Sequence, residues 1–231
     1  MKSHGNHKQG LKRYKCKTCG RTFNDKTGAI FHYSRLSLRE WITLIILFLG
    51  MHNPCLSLSW LLERNYMPIF KALKKLMLNL RKTQPTKMSG VVEADEVYVT
   101  AGLKGRNNSQ RIKRLGRKPR RRGLKRRGRG TWSEDKPAVF ILVERGGGED
   151  YIPSGDVEAE TALRIIRRRV LEGSTIYTDS FKAYLGLCGV GYGHEAVNHS
   201  VGEWVRGECH INGCECRASL LRPWLAVHRG V

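Results

Sequence analysis

The stretch Val91-Val92-Glu93-Ala94-Asp95-Glu96-Val97-Tyr98-Val99 decides how this chain is read. Its β-branched and aromatic residues predict a strand. Asp95 nevertheless sits inside it, where aspartate is depleted. A second run, Thr175-Ile176-Tyr177-Thr178-Asp179, has the same character and carries its aspartate at the C-terminal end. Between them, Ala138–Glu144 predicts a strand stopped by Gly146-Gly147-Gly148, with a short strand at Tyr151-Ile152-Pro153. Ala159, Ala162, Leu163, Ile166 and Val170 fall on one face of a helix that Gly173 terminates. Strand, hairpin, crossover helix, strand is an α/β order in which the first and last strands can lie parallel. Strand polarity then brings Asp95 and Asp179 together.

A lone aspartate closing a strand is ordinarily a turn former. Three features weigh against that reading. Asp95 lies within its strand, and Asp179 leads into Ser180–Tyr184, which looks like a helix start. Glu215 then opens the last apolar, helix-compatible stretch, with Leu220, Leu221, Trp224 and Leu225. Arg222 falls two helical turns after Glu215 and projects from the same face. Pro223 pushes the preceding residue from helical geometry, so a kink is expected at Arg222.

The rest of the chain is cationic: 231 residues hold 42 Lys+Arg against 20 Asp+Glu, for a net charge of +22. Buried carboxylates in a protein that attracts polyanions make chemical sense when they hold divalent cations against a phosphate. From Lys104 to Arg129 there is no acid, and more than half the positions are Lys or Arg. Such a block is too repulsive to pack and predicts a mobile arm or extended insertion. It lacks the bulky apolar residues that insert into lipid, so nucleic acid is the expected partner. The cations assigned to DNA contact are Lys104, Arg106, Arg120, Arg121, Arg122, Lys125, Arg126, Arg127 and Arg129. A basic RNA-binding or ribosome-associated protein would explain the charge but not the carboxylates in strands.

The most apolar run, Trp41–Met51, is well short of the ~20 residues that span a bilayer. It also follows too long a polar stretch to be a signal peptide. A soluble, intracellular chain is expected, and its odd number of cysteines fits reduced thiols. Three regions emerge. Residues 1–34 contain Tyr14-Lys15-Cys16-Lys17-Thr18-Cys19-Gly20-Arg21-Thr22-Phe23, a Cys-x-x-Cys knuckle of the zinc-ribbon kind. One knuckle supplies two of zinc's four ligands. His4 and His7 are spaced to complete the site, and a half-ribbon that binds nothing is the alternative. Residues 35–88 read as three helices: one carrying Leu38, Trp41, Ile42, Ile45, Ile46 and Leu49, one capped by Ser57, and one with Pro68 in its first turn. That order fits a helix-turn-helix DNA reader or a plain helical bundle. Residues 89–231, with a basic insertion at 102–136, form the third region. Within it Cys209, His210, Cys214 and Cys216 are clustered soft ligands, a rival zinc site whose spacing matches no standard knuckle.

The segments V-E-A-D-E-V-Y, R-R-G-L-K-R-R-G-R-G-T-W, D-K-P-A-V-F, I-Y-T-D-S-F-K-A-Y, V-N-H-S-V-G-E-W-V-R-G-E-C-H-I-N-G-C-E and S-L-L-R-P-W-L carry a more specific signal. Together they resemble the zinc-ribbon DDE transposases of bacterial and archaeal insertion sequences, the ISXO-type group, from Tyr14 to Val231. The resemblance implies an RNase H-like catalytic domain, a mixed sheet with flanking helices. It makes Asp95, Asp179 and Glu215 the ligands of two Mg²⁺ or Mn²⁺ ions, with Arg222 as the basic helix residue. It also places His194 and His199 near the site. The implied reaction is hydrolytic nicking at transposon ends, then attack of the freed 3′-hydroxyl on target DNA. Double-stranded DNA is the implied partner, a homodimer or higher oligomer the implied assembly, and the prokaryotic cytoplasm and nucleoid the implied location. Cys16 and Cys19 are what remains of the family's zinc site. The family has two knuckles and a longer final helix, and its members tend to carry Asn where Cys216 stands here. The chain therefore reads as truncated at both ends, and a remnant that binds DNA without cutting it is the alternative function.

The basic run makes one measurable claim. DNA affinity should fall about 10³–10⁵-fold between 50 and 200 mM salt if six to ten of its cations touch phosphates. Deleting residues 104–129 should flatten that slope in a fluorescence-anisotropy titration.

Overall fold

A computed structural model of the chain describes residues 2–6, 10–80, 87–99 and 136–228. The Lys104–Arg129 run, with every cation assigned above to DNA contact, lies outside the described residues, as does His7. Two compact units divide the chain: Met1–Gln84 with Pro223–Val231, and Pro85–Arg222.

The first unit begins with an antiparallel sheet of β1 (Lys2–Asn6), β2 (Lys12–Lys15) and β3 (Thr22–Phe23), in that order. Cys16 and Cys19 occupy the turn joining β2 to β3. The Cys16 amide donates to the Arg21 carbonyl at 2.9 Å, and the Gly20 amide donates to the Cys16 carbonyl at 3.1 Å. Gly20 takes φ +70°, a left-handed conformation open to glycine at little cost.

Helix α1 (Leu38–Ile45) starts at a capping box. The Ser37 hydroxyl accepts the Glu40 amide at 3.2 Å, and the Glu40 carboxylate accepts the Ser37 amide at 2.6 Å. A π-helical turn, Ile46–Gly50, continues it. Trp41, Leu44 and Phe48 are buried against Leu58 of α2 (Cys55–Leu61) and Ile69, Leu73 and Leu76 of α3 (Tyr66–Leu80). The stripe expected from sequence is thus narrower than stated: Ile42, Ile46 and Leu49 are exposed. An almost uniformly apolar run hides which face is buried, because the period is lost. Ser57 does not cap α2 either. Pro54 occupies the cap with φ −71° and ψ 157°, an extended entry its ring permits, so the helix begins at Cys55. No helix among the described residues is long and apolar enough to cross a membrane.

The second unit is a five-stranded mixed sheet flanked by helices. Its strands are β4 (Val91–Tyr98), β5 (Ala138–Glu144), β6 (Glu149–Ser154), β7 (Thr175–Asp179) and β8 (Gly193–Val197), ordered β6-β5-β4-β7-β8. β4–β5 and β5–β6 are antiparallel hairpin partners, whereas β4–β7 and β7–β8 are parallel. The crossover between β6 and β7 is helix α4 (Ala159–Arg169). It ends before Val170, which turns extended and bridges to Met88, so Gly173 serves the following turn rather than the helix. Ala162, Ile165 and Ile166 of α4 pack on Val92, Ala94, Phe140, Leu142 and Ile176 across one face of the sheet. On the other face, Cys214 and Ala218 of helix α5 (Asn212–Val227) pack against Val97, Val139, Ile141, Tyr177 and Val197. α5 runs through Pro223 without ending there. β8 escaped the sequence reading because Gly-His-Glu-Ala-Val buries only its last residue deeply and offers no apolar run.

Candidate active site

The parallel ladder between β4 and β7 pairs Val91 with Thr175, Val92 with Ile176 and Glu93 with Tyr177. Asp95 and Asp179 lie two residues beyond the last of these pairs and, by strand alternation, on the same face as Glu93 and Tyr177. Carboxylate oxygens of Asp95, Glu96 and Asp179 all lie within 4.8 Å of one another. Among the described residues this is the only group of three or more His, Cys, Asp or Glu side chains gathered so closely.

Each acid is held differently. Asp95 Oδ1 accepts the Glu96 amide at 2.8 Å, and Asp179 Oδ1 accepts the Phe181 amide at 3.0 Å. Glu96 is 8% exposed, and its Oε2 accepts the Tyr184 hydroxyl at 3.1 Å. Burial and the nearby Glu96 and Asp95 carboxylates push the Tyr184 hydroxyl far up, so it stays protonated and donates. Burial first, and then the charge of Asp179, push the Asp95 carboxyl up to about 6. The Glu96 amide opposes that rise, Glu215 adds to it, and Arg222 opposes it. Two like charges in one half-buried site cannot both ionise cheaply. A cation relieves that conflict, and a set made only of carboxylate oxygens suits hard Mg²⁺ or Mn²⁺ rather than zinc.

Glu215 stands in the first turn of α5. It acts on Asp95 through its charge but is not part of the 4.8 Å group. Its close partner is His199, whose Nδ1 lies 3.8 Å from Glu215 Oε1 and whose ring packs on Trp204 at 4.5 Å. Arg222 is exposed on α5, where its charge also reaches Asp95. His194, on β8, lies with Nε2 2.9 Å from Thr178 Oγ1. Burial lowers its affinity for a proton. Glu96 was missed from sequence because strand alternation sends it to the opposite face from Asp95. Its longer side chain still brings an oxygen to the pair.

The thiols form no such site. No third ligand gathers with Cys16 and Cys19 among the described residues, and Cys209, His210, Cys214 and Cys216 do not converge. Cys209 and Cys214 are buried, and burial raises both thiols, Cys214 strongly. Cys16, by contrast, accepts hydrogen bonds from the Cys19 and Thr18 amides that lower it to about 7. A cleft of about 520 Å³ opens elsewhere, beside Glu93, Arg145, His210 and Arg217.

Comparison with known proteins gives the class first. A protein described as an uncharacterized protein in transposable element ISH50, from Halobacterium salinarum, is 39% identical over 223 residues. The match spans 96% of this chain and 73% of that protein. Residues 87–231 match the ISXO2-like transposase domain. The chain belongs to the ISXO2-like transposase family of insertion sequences. Two solved structures also align. A pre-cleavage Mos1 transpososome does so at TM-score 0.30 and 12% identity, covering 84% of this chain and 71% of that one. The Mos1 strand transfer complex does so at TM-score 0.26 and 12% identity, covering 70% and 58%. At such scores these likenesses carry no argument.

The raised Asp95 carboxyl has a thermodynamic signature. Between pH 3.8, its ordinary value, and about 6, the folded state keeps a proton that the unfolded chain has released. The stability this contributes is present at low pH and is lost as pH rises through 6. In metal-free buffer at pH 7.5, Asp95→Asn should therefore stabilise the protein by about 1–3 kcal/mol in urea unfolding, with the gain gone at pH 4. Mg²⁺ should stabilise the wild type and leave the variant unmoved.

Proposed function

We propose that this chain is a DDE-type transposase with an RNase H-like catalytic domain, cutting DNA at the ends of its element and joining them to target DNA. The observation that carries the reading is the gathering of the Asp95 and Asp179 carboxylates, with that of Glu96, from neighbouring parallel strands in a chain of net charge +22. Membership of a transposase family supports the same reading.

In this account Asp95 on β4, Asp179 on β7 and Glu215 on α5 would hold the divalent ions. When bound, such ions activate the attacking oxygen and stabilise the leaving one during in-line displacement at phosphorus. The chain's own groups position the reactants. The Phe181 amide orients Asp179, and His199 lies 3.8 Å from Glu215. Arg222 grips a phosphate oxygen from the face of α5 that bears Glu215. In the first reaction a water oxygen bonds to phosphorus as the 3′ oxygen–phosphorus bond breaks, leaving a 3′-hydroxyl and a 5′-phosphate. In the second that 3′-hydroxyl bonds to a target phosphorus and releases a target 3′ oxygen. No side-chain nucleophile is needed.

The remaining assignments follow the same reading. Residues 35–88 and the cations between Lys104 and Arg129 contact double-stranded DNA, and pairing of two element ends requires at least a dimer. A zinc ion at Cys16 and Cys19 requires two further ligands. The site of action is the prokaryotic cytoplasm and nucleoid.

Nicking of a duplex bearing the element's terminal repeats should require Mg²⁺ or Mn²⁺. Asp95→Asn, Asp179→Asn and Glu215→Gln should each cost more than the ~10–100-fold typical of residues behind a metal's ligands, while DNA binding persists. Equal cleavage by wild type and Asp95→Asn contradicts the assignment. Binding without cleavage by the wild type favours a remnant that only binds DNA.

A further inference from the structure

Glu93 is 2% exposed and has no part in the chemistry above. Its Oε2 accepts the Gly213 amide at 2.7 Å and the Cys214 amide at 3.3 Å, both in the first turn of α5. Its Oε1 accepts Arg145 Nε at 3.1 Å and lies 3.3 Å from His210 Nδ1. Arg145 in turn donates Nη2 to the His210 carbonyl at 3.3 Å and lies 4.8 Å above the Tyr177 ring. One buried carboxylate thus ties β4, the residue after β5, and the start of α5 into a single cluster.

The amides in a helix's first turn have no partner within the helix and are ordinarily capped by a neighbour in sequence. Here the cap comes from another element, and its negative charge suits the positive end of the helix dipole. Gly213 lets the carboxylate come this close: a Cβ there would lie 2.7 Å from Glu93 Oε2 and would move it. Strand alternation puts Glu93 and Asp95 on one face of β4. Along α5, Glu215 follows Gly213 by the same two positions. The Glu93–Gly213 bond thus ties β4, two residues before Asp95, to α5, two residues before Glu215.

We propose that Glu93 is a positioning residue, whose grip on the first turn of α5 sets where Glu215 stands relative to Asp95. The role of Glu215 in this statement rests on the DDE reading. The Glu93–Gly213 bond itself does not. Gln at position 93 keeps the size but loses the charge, and one of its two ends becomes a donor facing donors. Ala at position 213 keeps every charge but displaces the carboxylate.

The test uses the full chain, with Mn²⁺ as the probe and two readouts. Hydrogen exchange of the first-turn amides of α5 should quicken in Glu93→Gln while β5 and α4 stay protected. Mn²⁺ affinity, read by electron paramagnetic resonance, should fall about 10–100-fold. That loss should shrink to within about twofold when Glu215→Gln is already present, because Glu93 acts through Glu215. Gly213→Ala should reproduce both results, and it carries the test if Glu93→Gln fails to fold. Unchanged exchange in the first turn overturns the proposal, as does an equal loss of affinity in the Glu215→Gln background. The DDE reading fails separately, if Asp95→Asn leaves Mn²⁺ affinity untouched.

Discussion

The parallel pairing of β4 with β7 is the constraint from which the second unit is built. Parallel neighbours need a crossover, and α4 supplies it, covering one face with Ala162, Ile165 and Ile166. The opposite face is left for α5, whose Cys214 and Ala218 seal Val97, Ile141 and Tyr177. Both faces of β4 are thereby buried, yet its C-terminal half still carries a carboxylate on each face, Asp95 and Glu96. Burial and the charge of Asp179 raise the Asp95 carboxyl to about 6, so its ionised form disfavours folding at neutral pH unless something offsets it.

Two acids on the same face of β4 show opposite answers to that problem. Glu93 is satisfied from within, by Arg145 and the amides of Gly213 and Cys214. Asp95 accepts one backbone amide, and burial and the charge of Asp179 push it up to about 6 although the charge of Arg222 opposes the rise. The contrast marks where the fold expects charge from outside itself.

Much of this was legible in the sequence because it rests on short-range pattern. β-branched runs gave β4, β5 and β7, the 3.6-residue period gave α4, and strand order alone brought Asp95 to Asp179. What escaped depends on contacts between distant residues. β8 is an edge strand of Gly-His-Glu-Ala-Val, and its strand character comes from pairing with β7 rather than from its own side chains. Glu96 reaches the acid pair by its length, against the alternation rule. The grip of Glu93 on Gly213 joins residues far apart in the chain and leaves no local mark beyond a glycine inside a helix. The start of α2 was misplaced because Ser57 is a good cap in isolation, while Pro54 already provides the extended entry.

The central claim is that Asp95 and Asp179 together hold a divalent cation. Anomalous diffraction at the manganese edge, from crystals of the full chain grown with Mn²⁺ at neutral pH, tests it most directly. The account predicts an anomalous peak bonded to oxygens of both aspartates, at about 2.0–2.6 Å, with Glu215 turned toward it. Manganese bound only at other sites, with the two aspartates sharing a proton, would contradict it.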